Sequence, residues 1–194
     1  MLSGKGAEEF AKEQKLEIVD PKYFWTQDRW NGLQKALEKE KLKKATTQNK
    51  KPDYLEIDQK FGTVGAVALD KEGNITAGTS TGGMTNKRWN RIGDSPVIGA
   101  GTYANAQVGI SGTGWGEFFI RSTAARTVAA KMEYQHKDVK TATQEVIAEI
   151  GKMGGDGGLI ALDKNGNIAM EMNTAGMYRG AITDKGEIEV EIYK

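Results

Sequence analysis

The sequence has no cysteine and a single histidine, His136. The first absence excludes disulfides, thiolate metal sites and a cysteine nucleophile; the second leaves almost no material for a histidine-based metal centre. A bias toward charge of one sign is missing as well. Lys and Arg total 27 against 26 Asp and Glu, a formal net charge of +1, so nothing global points to a nucleic-acid or membrane partner. No apolar run approaches the roughly eighteen residues of a membrane span. Met1-Leu2-Ser3-Gly4-Lys5 is not followed by a signal-type apolar stretch. Proline is scarce, three residues against 25 glycines, and the glycines are unevenly spread. With 194 residues, 38% of them apolar and 27% charged, the chain is long enough for one ordinary domain with a real core.

What is present divides into two parts. Residues 1 to about 45 read as helical. Ala7, Phe10 and Ala11 share a face of one helix, and Trp30, Leu33, Ala36 and Leu37 recur at helical spacing in a second, capped by Thr26 or Asp28. Ala45 to Lys60 is polar and aperiodic, and is expected to be an exposed, mobile linker open to proteases. At Gly62 the composition changes to small, β-prone residues. Thr63–Leu69, a turn over Asp70–Asn74 and a return strand from Ile75 read as a β-hairpin. The core Ala-Leu-Asp-Lys-x-Gly-Asn-Ile recurs at Ala161–Ile168, and Thr183-Asp184-Lys185-Gly186-Glu187 is a looser third version. Between the first two lie a strand, Val108–Ser111, and two helices, about Glu117–Met132 and Val139–Lys152. Strands, then helices, then strands predict a layered α+β domain. Apolar residues on consecutive strand positions predict sheets covered on both faces.

Three stretches invite chemistry. Gly112-Thr113-Gly114-Trp115-Gly116 would expose backbone N–H groups at a helix start, which suits an anion or a developing oxyanion. A tight strand-to-helix turn uses glycine equally well. The loop lacks the Lys-Ser/Thr of a P-loop, so nucleotide binding is not expected. Gly154-Gly155-Asp156-Gly157-Gly158 reads as a flexible turn. Gly78-Thr79-Ser80-Thr81-Gly82 fits the serine-hydrolase pattern G-x-S-x-G, with Asp94 and His136 following in order. The residues after it make a poor helix start, however, and His136 sits among Glu133, Lys137 and Asp138 as a solvated helix end would. Finally, Arg91 and Asp94 lie three apart in a segment broken by glycine and proline. As a pair they would complement the carboxylate and ammonium of an α-amino acid; a surface salt bridge is the plainer reading.

Taken together, Gly62–Asp70, Thr79–Met84, Gly93–Pro96 and Gly99–Ala104 resemble, in order and at matching spacing, the plant-type asparaginases or isoaspartyl peptidases, which are N-terminal-nucleophile hydrolases. The resemblance runs from about Gly4 to Tyr178. It implies a four-layer αββα sandwich, in which residues 1–62 are a remnant of the first subunit (helices plus linker) and 63–194 the catalytic portion, together forming one structural domain. It implies self-cleavage between Gly62 and Thr63, after which the Thr63 hydroxyl is the nucleophile and its freed amine the general base. Thr81 is expected to tune the nucleophile, Arg91 to hold the substrate α-carboxylate and Asp94 its α-ammonium. Thr113 and Gly114 are expected to form the oxyanion hole, with Gly116 beside them against the substrate.

The implied reaction is hydrolysis of isoaspartyl dipeptides and of L-asparagine through a β-aspartyl-threonine ester. The implied setting is a cytoplasmic homo-oligomer of cleaved chains, (αβ)2, without nucleic-acid or membrane partners. Glycosylasparaginase activity ranks second, because Gly82–Lys87 resembles the isoaspartyl peptidase version of that stretch. The family's segment before the nucleophile is longer than the one here, and Met1–Ala7 resembles an internal part of it. The family's opening strand and its alkali-metal loop would lie in the missing part, so no cofactor is expected of these residues. A fragment, a misassigned start, or a catalytically silent relative acting as a binding or assembly module are the alternatives that follow.

Overall fold

The repeated Asp-Lys-x-Gly-Asn signal builds the same turn twice. The computed structural model describes residues 2–46, 62–89 and 91–193. In it β1 (Thr63–Leu69) and β2 (Ile75–Thr81) pair antiparallel, from Thr63↔Thr81 to Leu69↔Ile75. Asp70 closes their turn by accepting from the Asn74 backbone at 2.7 Å and from its side-chain amide at 2.8 Å. Gly73 takes φ +85° there, which a side chain would resist. Between β5 (Gly157–Asp163) and β6 (Ile168–Met172), Asp163 makes the same two bonds to Asn167, at 2.9 and 2.8 Å, with Gly166 at φ +83°. Thr183 substitutes for the aspartate in the third turn, which joins β7 (Gly176–Ile182) to β8 (Ile188–Tyr193).

Two short strands complete the largest sheet. β3 (Thr102–Ala104) and β4 (Val108–Gly114) join β5 and β6 in the all-antiparallel order β3-β4-β5-β6. Val108, Ile110, Leu159, Ala161 and Ala169 point from one face of this sheet into the apolar core. That core is closed by α3 (Gly116–Arg121), α4 (Ala124–Gln135) and α5 (Val139–Lys152). In α5, Val139, Ala142, Val146, Ile147 and Ile150 are buried at helical spacing, and Asp138 caps it by accepting from the Thr141 N–H at 2.9 Å. The helix expected over Glu117–Met132 is two helices. Ser122 bonds back to the Phe118 carbonyl at 2.7 Å and Thr123 takes φ +44°, which ends α3. The carbonyls of Gly99 and Ala100 then accept from the first free N–H groups of α4, those of Arg126 and Ala125.

The β1–β2 hairpin packs on the other face of the large sheet. A Cβ on Gly65 would lie 2.0 Å from the Ser111 hydroxyl oxygen, and one on Gly109 would lie 2.7 Å from an Ile75 methyl. Helices, sheet and hairpin thus form three successive layers. The prediction that every sheet is covered twice holds for β4, whose Val108–Gly112 are all buried, and fails for β1 and β2, where burial alternates. Alanine and glycine had hidden a period of two: Val64, Ala66 and Ala68 face away from β4, and Val64 is 69% exposed. On β8 the whole strand is exposed.

These strands and helices belong to one of two compact units, Phe61–Gly83 with Arg91–Lys194. The other, Met1–Lys60 with Met84–Asn90, contains α1 (Gly4–Glu13), a 3-10 turn (Pro21–Phe24) and α2 (Gln27–Thr46). Of the two candidate caps, Thr26 serves α2, accepting from the Arg29 N–H at 3.3 Å. Glu40 of α2 accepts from the Asn86 amide at 3.2 Å and pairs with Arg88. Residues 47–60 of the expected linker lie outside the described residues, while 45 and 46 close α2.

The Gly65–Ser111 contact leaves no room for a methyl group. Gly65→Ala should lower unfolding stability by about 1–3 kcal/mol, as overpacking does. Adding Ser111→Gly should recover much of that loss in a chemical-denaturation double-mutant cycle, and additive losses would contradict the contact.

Candidate active site

The β1–β2 register places Thr63 directly opposite Thr81 at the open end of the hairpin. The Thr63 hydroxyl donates to the Thr81 Oγ1 at 3.1 Å, and Thr81 donates in turn to the Gly62 carbonyl at 3.2 Å. The Gly83 N–H donates to Thr81 Oγ1 at 2.9 Å, so that hydroxyl makes one donated and two accepted bonds and is fully used. A second donor, the Gly82 N–H, reaches the Gly62 carbonyl at 3.2 Å. The peptide between Gly62 and Thr63 therefore has its oxygen held by two donors while a hydroxyl on its own nitrogen side waits beside it. Two donors on one carbonyl oxygen is the arrangement that stabilises negative charge developing there.

Thr113 reaches the same end by sheet stacking. Gly65 lies against Ser111, and Val67 lies against Gly109, where a Cβ would meet it at 3.6 Å. β1 therefore runs opposite to β4 across the gap, with Thr63 and Thr113 at the same end of the two strands. Between the layers Thr79 and Ser111 share a hydroxyl hydrogen bond of 2.6 Å. Gly114 follows at φ +145°, and a Cβ there would lie 2.3 Å from the Asp156 carbonyl. The Trp115 N–H donates to that same carbonyl at 3.0 Å. Gly154–Gly158, expected to be a flexible turn, is instead fastened. Gly157 and Gly158 are buried in β5, and Asn173 accepts from the Gly157 N–H at 2.8 Å while donating to the Gly155 carbonyl at 2.9 Å.

Arg91 and Asp94 come together with Gly116. Asp94 is 6% exposed, and its Oδ2 is buried without a hydrogen-bond partner. Burial is the main influence on its carboxyl and pushes the pKa up; the nearby Arg91 charge opposes that shift and Glu117 adds to it. A Cβ on Gly116 would sit 2.8 Å from Asp94 Oδ1 and 3.2 Å from Arg91 Nη1, and one on Gly101 would sit 2.5 Å from Asp94 Oδ2. Glycine at both positions lets the backbone pack directly against the carboxylate. An acceptor buried without a donor is costly, and a cationic donor of matching size relieves it. Among the described residues no three or more histidine, aspartate or glutamate side chains gather so as to hold a metal ion.

The serine-hydrolase reading is overturned. Ser80 is the last residue but one of β2, on its exposed face opposite Val64, and the next element in the chain is the strand β3 rather than a helix. His136 caps the C-terminus of α4 at φ +53°. Glu117, Ser111 and Asn173 were missed. Glu117 was legible only as a helix boundary, and its ion pair with Arg91, at 2.6 Å, joins residues 26 apart. Ser111 was read only as part of a strand. Asn173 gave no signal, because its partners lie on the far side of a hairpin.

The asparaginase family matches residues 1–192. The isoaspartyl peptidase of Escherichia coli (strain K12) is 49% identical over 181 residues, covering 92% of this chain and 55% of that protein. Its counterpart in Salmonella typhimurium is 48% identical over 181 residues, covering 92% and 56%. The isoaspartyl peptidase/L-asparaginase of Mus musculus is 39% identical over 193 residues, covering 98% and 56%. The chain thus spans between 55% and 65% of the length of the first curated relatives it matches. With a match over nearly all of its residues, this chain belongs to the asparaginase family.

Proposed function

We propose that this chain is a self-cleaving threonine amidohydrolase that splits isoaspartyl dipeptides and L-asparagine. The names of its relatives support the substrate class. The observation that carries the mechanism is the hydrogen-bonded row Thr63, Thr81 and Gly62 at the end of the hairpin.

In the uncut chain the Thr63 nitrogen is an amide and cannot act as a base. The Thr63 oxygen attacks the Gly62 carbonyl carbon, and the charge gathering on the carbonyl oxygen meets the Thr81 hydroxyl and the Gly82 N–H. The C–N bond breaks as the proton lost by the Thr63 hydroxyl ends on the departing nitrogen, leaving an ester on Thr63 and a free amine. Water then releases the Gly62 carboxylate. That amine has a reference pKa of about 7.7–8 and accepts a proton near neutral pH, which replaces the absent histidine base.

In the second reaction Thr63 attacks the side-chain carbonyl of the substrate, and Thr113 and Gly114 receive the oxyanion. Arg91 takes the α-carboxylate and Asp94 the α-ammonium, with Gly116 as the floor between them. Ammonia or an amine leaves, and water hydrolyses the β-aspartyl ester. Every step uses hydroxyls, amides, charges and an amine of the chain itself. The finer architecture proposed with this is the four-layer αββα sandwich, with residues 1–62 as the N-terminal portion, 63–194 as the catalytic portion and (αβ)2 as the mature form. The helix, sheet and hairpin layers of the unit Phe61–Gly83 with Arg91–Lys194 support it. A cytoplasmic setting goes with small soluble substrates.

Intact mass after incubation should give two fragments meeting at Gly62/Thr63, and Thr63→Ala should give none and hydrolyse nothing. Thr81→Val, which removes one donor from the Gly62 oxygen, should slow the cut by about 10²-fold. A wild-type chain that stays whole and inactive would overturn the proposal.

Asp94 gives a pH test with a definite sign. Its folded pKa is raised above the ordinary 3.8, so the folded chain holds that proton more tightly than the unfolded chain. Its contribution to stability is full below 3.8 and is lost as pH rises through the folded value. Asp94→Asn should therefore melt at or above the wild-type temperature at neutral pH while losing about 10²-fold in substrate affinity. A variant that melts lower and binds normally would refute this assignment.

A further inference from the structure

We propose that Glu117 is a positioning residue, whose carboxylate aims the Arg91 guanidinium at the cradle formed by Asp94 and Gly116 and sets the pH at which that cradle takes a ligand. The proposal deepens the reading of Arg91 and Asp94 given above and rests on it.

Three observations carry it. Glu117 Oε1 lies 2.6 Å from Arg91 Nη2, so one arm of the guanidinium is occupied. The other arm, Nη1, donates to the Ile92 carbonyl at 3.5 Å and lies beside the glycines, since a Cβ on Gly116 or Gly93 would lie 3.2 or 3.4 Å from it. Gly116 immediately precedes Glu117 in the first turn of α3, so the residue that packs against Asp94 and the one that holds Arg91 are placed by the same backbone. Arginine is long and rotamer-rich. Fixing one end of its planar fork orients the whole guanidinium, because the fork is rigid. The Glu117 side chain is 46% exposed and that of Arg91 28%, so the pair is no core brace, and a pair this open adds little to stability. Its effect is on geometry and local charge.

The charge has a directional consequence. The ionised groups acting on Asp94 are Arg91 from the same loop and Glu117 from α3, while Gly101 and Gly116, packed against its carboxylate, bring none. Glu117 places a second negative charge by Asp94 and keeps it protonated to a higher pH than burial alone would. A ligand ammonium needs the ionised form. Affinity for an α-amino acid therefore rises as pH passes the Asp94 pKa, and Glu117 moves that rise to higher pH.

L-Aspartate, which has both α-charges and is the acid product of the proposed reaction, is the probe. It is titrated calorimetrically into the full chain between about pH 4 and 8, for wild type, Glu117→Gln, Glu117→Ala and Arg91→Ala, with circular dichroism confirming the fold of each. Glu117→Ala should weaken binding about tenfold. Glu117→Gln should shift the acid midpoint of the affinity to lower pH, which a merely structural residue would not do. If Arg91→Ala loses binding while both Glu117 variants match wild type in affinity and midpoint, the role of Glu117 is refuted and the site reading stands. If Arg91→Ala binds as wild type does, or wild type takes up no L-aspartate, the site reading itself falls and the Glu117 proposal with it.

Discussion

The rest of the catalytic unit depends on how closely the β1–β2 hairpin approaches β4. Two β-sheets packed face to face ordinarily stand about 10 Å apart with side chains of both filling the gap. Here Gly65 faces Ser111 and Gly109 faces Ile75, and in each pair one side contributes no side chain. The layers close until hydroxyls and small groups touch directly. The gap then sorts by composition along its length. At one end Val67, Ile75 and Gly109 make an apolar contact, while toward the other Thr79 bonds Ser111 and Thr63 bonds Thr81. A polar cluster between sheets is stable only where its groups find partners, and Thr81, with all its capacity used, meets that requirement.

The Arg91–Asp94 loop obeys the opposite rule. Its carboxylate is buried with one oxygen unpartnered, and burial raises its pKa. A fold selected only for stability would pair that oxygen or replace it. Gly101 and Gly116 let the backbone pack against it, because any side chain at either position would collide with the carboxylate. A buried, unpartnered acceptor beside an arginine is kept at the expense of stability.

Much of this was legible in the sequence, for identifiable reasons. The hairpins were readable because Asp-Lys-x-Gly-Asn is local chemistry: an aspartate, an asparagine four residues later and a glycine at positive φ. The helix Val139–Lys152 was readable to the residue because its apolar spacing and its Asp138 cap agree. The break at Ser122–Thr123 was not, since it depends on carbonyls from Gly99 and Ala100, over twenty residues earlier. The exposed faces of β1 and β2 were misread because alanine and glycine carry almost no hydropathy contrast. Within the site, Thr63, Thr81, Arg91, Asp94, Thr113 and Gly114 entered through a family likeness and a charge pair. Glu117 and Asn173 needed coordinates, because their partners are reached only through tertiary packing.

The origin of the two groups of site residues also bears on the order of the two reactions. Among the described residues, the hydrogen bonds to the Gly62 carbonyl come from the hairpin itself: Thr81 at the end of β2, which also accepts from Thr63 of β1, and Gly82 just beyond it. That contact set closes over a separation of eighteen residues, a short loop with a modest closure entropy. The residues assigned to the external substrate come instead from β4, the α3 start and the Arg91–Asp94 loop, and they meet the hairpin only after the sheets have stacked. The parts for cutting the chain are thus local, and the parts for holding a substrate are global. Until the Gly62–Thr63 peptide is gone, the Thr63 nitrogen has no basic lone pair and the Gly62 oxygen occupies the donors beside it. In the proposed scheme the same hairpin hydrogen bonds serve the self-cleavage first and leave the site to substrate only afterwards.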